Sequence, residues 1–189
     1  MVDHDLGTAP CAVGTWCTLV NCKFSRLGKV KNIVESARER DWVVGTGGLS
    51  AKSSGHGTII YAMKVTEVLT LTGYYNRKEF SRRADFPQSA PQDDPLRNYQ
   101  RMALISDQFV YFGRMAVPVS SEVLAAGEAA GKPLEKRGPK YRCSFPPEFV
   151  KEFEKWYLQL PKKGIVGWPC GKPEEKCSNP CSEPAQKKP

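Results

Sequence analysis

The sequence predicts an α+β fold, and three stretches carry that prediction. TIIYAMKVTEVL, 58–69, alternates as a strand does: Ile59, Tyr61, Met63 and Val65 share one face, while Ile60, Ala62, Lys64 and Thr66 share the other. Both faces are apolar near its start, so that end should be covered on both sides. ALISD, 103–107, and FVYFG, 109–113, read as two more short strands, or as one bent strand. PPEFVKEFEKWYLQLP is an amphipathic helix with proline in its first turn and a proline stop; Phe149, Val150, Phe153, Trp156, Tyr157 and Leu160 form its apolar stripe.

The other elements follow in order. TWCTLVNC, 15–22, reads as a strand. GKVKNIVESARER, 28–40, reads as a helix with Val30, Ile33, Val34 and Ala37 on one face. DWVVG is a short buried strand, and the glycine-rich stretch 47–57 is a polar loop leading into the 58–69 strand. YYNRKEF, 74–80, is a short helix, and FPQSAPQDDP, 86–95, is a Pro/Asp-rich loop. SEVLAAGEAA, 121–130, is another helix, and 131–143 reads as a surface linker. The expected organisation is a domain over 1–131, a linker and amphipathic helix over 132–163, and a Pro/Lys/Cys-rich tail over 164–189 that is too polar to pack.

Composition narrows the function classes. A chain of 189 residues that is 40% hydrophobic can bury a core. No apolar run is long enough to span a bilayer, so no membrane partner is expected. MVDHDLGTAP lacks the basic and apolar regions of a signal peptide, and the seven cysteines lack a compact framework, which points to an intracellular chain with reduced thiols. The net charge is +8, but it is unevenly placed. Lys and Arg outnumber Asp and Glu 13 to 7 over residues 132–189 and only 15 to 13 over residues 1–131. RKEFSRR, 77–83, is the one basic cluster in the first part.

Familiar catalytic patterns are absent. A phosphate loop needs glycine amides at the start of a helix; Gly45, Gly47, Gly48, Gly55 and Gly57 lie between two predicted strands. GEAAGKP, 127–133, is one residue short of a Walker A loop and has proline where Ser or Thr should bind magnesium. His4 and His56 are the only histidines, which excludes a histidine-rich metal site. Cys11, Cys17 and Cys22, and Cys170, Cys177 and Cys181, lack paired zinc-ribbon spacing. Neither a metal nor another cofactor is expected. Trp42, Tyr61, Tyr111 and Phe112, near strand ends, are either core or the walls of a pocket that stacks a planar base; RKEFSRR would then meet phosphate.

Four motifs in the right order resemble the second type of nucleotide modification associated domain: CTLVNCK, DWVVGTGG, GTIIYAMKVTEVLTLTGYY and LISDQFVYFG, together spanning roughly residues 2–124. The N-terminus also resembles that family's Val-x-Tyr-Asp-x-Gly-x-Ala-Pro, which implies a strand preceding Met1. Two departures stand out: Arg40 occupies the position of a family glycine, and the segment between Phe80 and Arg101 is shortened. By analogy the pattern is also similar to PUA-like barrels of the EVE and ASCH groups, which implies a small, mixed, partly open β-barrel with flanking helices.

The resemblance implies a link to modified nucleic-acid bases. The leading expectation is a nucleic-acid-associated module recognising a modified or flipped base, its partner a nucleic acid or nucleotide. Trp42, Tyr61 and Tyr111 would form pocket walls, Thr46 and Ser106 would bond a base edge, and Lys64, Arg77, Arg82 and Arg83 would meet phosphate. Two alternatives stand beside it: an enzyme acting on a nucleotide or base through Cys22 beside Lys23, and a protein-interaction module using the basic tail.

Overall fold

Alternating side chains and short loops place β-strands along most of the chain's first two thirds. The computed structural model describes residues 5–20, 32–49, 53–87, 102–134 and 141–169. The strands are β1 (Cys11–Val13), β2 (Trp16–Leu19), β3 (Trp42–Thr46), β4 (Thr58–Lys64), β5 (Glu67–Thr70), β6 (Met102–Ser106), β7 (Gln108–Tyr111), β8 (Val117–Pro118) and β9 (Gly164–Ile165). The helices are α1 (Ile33–Ser36), α2 (Leu71–Tyr75), α3 (Ser121–Ala129) and α4 (Pro147–Gln159). One sheet has the order β1-β2-β6-β5; the other has the order β3-β4-β7-β9, with β8 also on β4. Every pairing is antiparallel except β7 with β9. The fold is therefore mixed α+β with two sheets, and no closed barrel is found among the described residues.

The two sheets are joined by a bent ribbon. The expected 58–69 strand turns at Val65 and Thr66, so β4 lies in one sheet and β5 in the other. Its partner bends at Asp107, with β6 and β7 on either side, which is the bent-strand reading of 103–113. Pairing runs on through the bend, from Lys64↔Gln108 to Glu67↔Ile105, bridged by the Thr66 N–H donating to the Ile105 carbonyl at 2.9 Å. A second kink opposes it: the Arg40 N–H donates to the Val65 carbonyl (2.7 Å), and the Val65 N–H to the Asp41 carbonyl (2.8 Å). Arg40 has φ 75°, in the left-handed region that glycine enters freely and other residues enter at about 1–2 kcal/mol. That is the position where the resembled family has glycine.

A β-bulge refines the facing expected for β4. Gly45 pairs Tyr61 and Thr46 pairs Ile59, which leaves Ile60 unopposed. Ile60, Tyr61 and Met63 consequently pack between the sheets, while Ile59 and Ala62 pack toward α3 and α4. Gly45 has a steric reason: a Cβ there would lie 2.0 Å from the Tyr61 ring, so the glycine makes room for the aromatic across the strand pair.

Among the described residues three apolar clusters result. Cys17, Leu19, Val43, Met63, Leu104 and Phe109 fill the space between the sheets. Val110, Val123, Phe149, Phe153 and Tyr157 join the second sheet to α3 and α4. Leu71, Tyr74, Phe80 and Ile105 lie under α2 on the outer face of the first sheet.

Several expectations change. The 28–40 helix is described only from Ile33, where Asn32 and Glu35 form a capping box, and it ends at Ser36. The 74–80 helix is α2, ending at Tyr75, followed by a 3-10 turn at Lys78–Phe80. The expected tail boundary at 164 is too early: β9 pairs with β7, and the Arg114 N–H donates to the Trp168 carbonyl at 2.8 Å.

Candidate functional site

The alternation of β3 puts Trp42, Val44 and Thr46 on the face opposite Val43 and Gly45. Trp42 and Thr46 line one cleft, of about 280 Å³, at the outer edge of the second sheet, with Val43 and Val44 between them. Its walls are Ile33 and Ser36 of α1 with Ala37 after it, the stretch 141–145, and Phe149 and Phe153 of α4. Trp42 is half-buried, meeting Phe153 and Tyr157 in T-shaped contacts with ring centres 5.3 and 4.7 Å away. Its indole Nε1–H donates to Glu154 Oε1 at 3.1 Å. On the polar side, the Tyr141 and Ser36 hydroxyls lie 2.9 Å apart, and exposed Arg142 donates to the Pro133 carbonyl.

The remaining expected base-binding residues are held apart from this cleft. Tyr61 is buried between the sheets against Gly45. Ser106 is fully buried in the ribbon's bend, its hydroxyl 2.5 Å from the Lys64 carbonyl and accepting the Gln108 N–H at 3.1 Å. Tyr111 is also buried between the sheets, where its hydroxyl donates to Asp5 Oδ2 at 2.6 Å. The structure thus brings together Trp42 and Thr46 and separates them from Tyr61, Ser106 and Tyr111, because strand alternation and the β4 bulge send those three elsewhere.

Asp5 was not marked by the sequence as a site residue, yet it links the N-terminal motif to Tyr111 in the LISDQFVYFG motif. It also accepts the Gly7 N–H at 3.0 Å. Burial pushes its carboxyl above the usual range, against the lowering pull of Tyr111 and Gly7. A carboxyl with a raised folded pKa favours folding most when protonated, and that contribution is lost as pH rises above the unfolded value of about 3.9. Asp5→Asn should therefore gain stability relative to wild type between about pH 3 and 7, read from urea midpoints; a pH-independent difference would contradict this.

The expected phosphate contacts are mostly engaged within the protein. Lys64 Nζ pairs with Glu154 Oε1 at 2.7 Å and lies 5.9 Å from the Trp42 ring centre. The hydrogen bonds from Lys64 and then Trp42 hold the Glu154 carboxyl below its usual range. Arg77 pairs with Glu67 (3.0 Å) and Glu79. Arg83 turns inward: it is 8% exposed and donates to Thr18 Oγ1 (3.1 Å), the Trp16 carbonyl (3.1 Å) and the Cys11 carbonyl. Arg82 alone of the four is exposed without such a bond among the described residues. Beside Arg83 lies buried Asp85, accepting from the Thr18 hydroxyl (2.5 Å) and the Tyr74 hydroxyl (2.9 Å). Cys22 and Lys23 lie outside the described residues. Cys17, in the same motif, is fully buried, and burial pushes its thiol far above the usual range, which disfavours the thiolate a nucleophile needs.

Residues 1–93 match the family described as nucleotide modification associated domain 2. Over this stretch, just under half of the chain, the sequence is similar to that family. The matched stretch supplies β1 to β5, α1 and α2, including Trp42, Thr46, Arg83 and Asp85. The match stops short of the LISDQFVYFG motif and of the 141–145 and α4 walls of the cleft. No curated protein and no solved structure matches the chain. Among the described residues no helix is long and apolar enough to cross a membrane.

Proposed function

We propose that this chain is a nucleic-acid-associated module that takes a modified or extruded base into the cleft beside β3. One observation carries the reading: Trp42 and Thr46, in a motif of the family, open onto a concavity walled by Tyr141, Phe145, Phe149 and Phe153. At about 280 Å³ it lies near the lower end of ligand-pocket volumes, a size suited to one planar ring system. Extruding a base costs a few kcal/mol, and stacking on aromatic faces returns about 1–3 kcal/mol per base. With Lys64 and Arg77 paired to carboxylates and Arg83 buried, phosphate contact passes to exposed Arg142 at the wall and to exposed Arg38 and Arg40, next in sequence to cleft-lining Ala37 and Asp41; the side-chain bonds of Arg142 and Arg38 are to neutral carbonyls and leave their charge uncompensated. The same reading takes the bent ribbon shared by the sheets as the counterpart of the partly open, PUA-like barrel.

The test is binding of the intact chain to oligonucleotides with and without a modified base, at several salt concentrations. Trp42→Ala should weaken binding by about 5- to 150-fold, with folding checked because the ring also packs on α4. Arg142→Ala should weaken all sequences alike and flatten the salt dependence by about one unit of slope. Absence of salt-dependent binding to every oligonucleotide would sink the reading.

A further inference from the structure

The cleft runs along a strand edge that has no partner among the described residues. Among the described residues β3 is the terminal strand of its sheet and pairs only with β4. The Asp41 carbonyl accepts from Val65, and the Gly47 N–H donates to the Thr58 carbonyl at 2.8 Å, so the backbone groups of alternate residues from 41 to 47 point toward β4. By the alternation of an antiparallel ladder, the N–H and C=O of Trp42, Val44 and Thr46 point away from it. These are also residues that line the cleft. Among the described residues no backbone or side-chain group bonds to these outward atoms.

We infer that this free edge of β3, through the backbone N–H and C=O groups around Val44, reads the hydrogen-bonding edge of the base held in the cleft. The inference rests on the proposed base-binding reading and adds its specificity element. The edge offers acceptor and donor in alternation, and a nucleobase presents an adjacent donor and acceptor along one edge. The ring would lie against the aromatic walls with its polar edge toward β3, and its phosphate would meet Arg142, Arg38 and Arg40. The cleft's volume, Arg142 in its wall and the exposed Arg38 and Arg40 next in sequence to lining residues favour a nucleotide over an extended peptide, which would need a longer open edge.

Proline separates backbone from side-chain readout. At an edge strand, proline is tolerated where the N–H faces outward and disruptive where the N–H serves the ladder. Val44→Pro should fold, while Val43→Pro should not. With the four deoxynucleoside monophosphates and their base-methylated counterparts as probes, Val44→Pro should reduce the affinity difference between best and worst base by about 5- to 150-fold. As a second measurement on the wild-type chain, the Val44 and Thr46 amides should exchange faster than those of Val43 and Gly45, and the best-bound nucleotide should slow them. If wild type binds and Trp42→Ala does not, yet base ranking survives Val44→Pro and those amides stay unprotected, backbone readout is overturned and the cleft reading stands. If Val44→Pro fails to fold, amide protection decides alone. Protection by a strand-forming peptide and by no nucleotide would also overturn the inference.

Discussion

Arg83→Met is expected to lower the free energy of unfolding by about 3–5 kcal/mol, because it strips a buried ion pair of one partner. The Arg83 guanidinium lies 3.8 Å from Asp85 and donates to the backbone carbonyls of Cys11 and Trp16 as well as to Thr18. Methionine fills a similar volume but leaves those carbonyls without their donor and Asp85 without its cation. Burial already pushes the Asp85 carboxyl up, while Thr18 and Arg83 pull it down. Removing Arg83 raises it further, so the stability lost grows as pH rises from about 4 toward 7. Urea unfolding at both pH values measures the effect, and a loss below about 1 kcal/mol that does not vary with pH would show that the cluster is solvated.

Phe153→Ala is expected to cost about 3–5 kcal/mol and to lower Tm by roughly 6–20 °C, by the usual cost of emptying a buried aromatic site in a chain of this size. Phe153 is 1% exposed and sits among Trp42, Phe149 and Trp156, with ring centres 5.3, 6.4 and 5.1 Å away. It holds α4 against the second sheet and at the same time lines the cleft. Phe153→Leu should cost about 1 kcal/mol, since most of the volume is kept. Calorimetry of both variants checks the pair, and equal losses would place the cost elsewhere than in the vacated volume.

What the sequence reveals depends on how local its cause is. The β4 alternation and the α4 stripe are visible because each is written in consecutive side chains. The turn at Val65 is not, because it arises from pairing with Arg40 and Asp41 and with Ile105. Arg40 is visible as a departure from a family motif, but only its φ explains why glycine belongs there. Gly45 is legible as the last residue of the DWVVG strand, but only the Tyr61 ring across the strand pair shows why it is glycine. The basic residues were easy to count, but their availability is tertiary: Lys64 is neutralised by Glu154, 90 residues away. The site is half legible for the same reason. Trp42 announces itself as an aromatic at a strand's start, whereas Tyr141, in a stretch read as a surface linker, and Phe145, just beyond it, carry no pattern that marks them as its opposite wall.

The bent ribbon sets the size of the cooperative unit. β2 and β5 belong to the matched region, yet they never touch as neighbours in their sheet; β6 stands between them. β4 likewise finds its partner in β7, so both central strands that complete the family stretch come from beyond residue 93. A boundary drawn by sequence similarity here cuts through hydrogen-bonded sheets and not through a linker. A chain cut at residue 93 would leave β2, β4 and β5 each short of a hydrogen-bonded neighbour, so the matched stretch is not a piece that can be excised with its sheets intact.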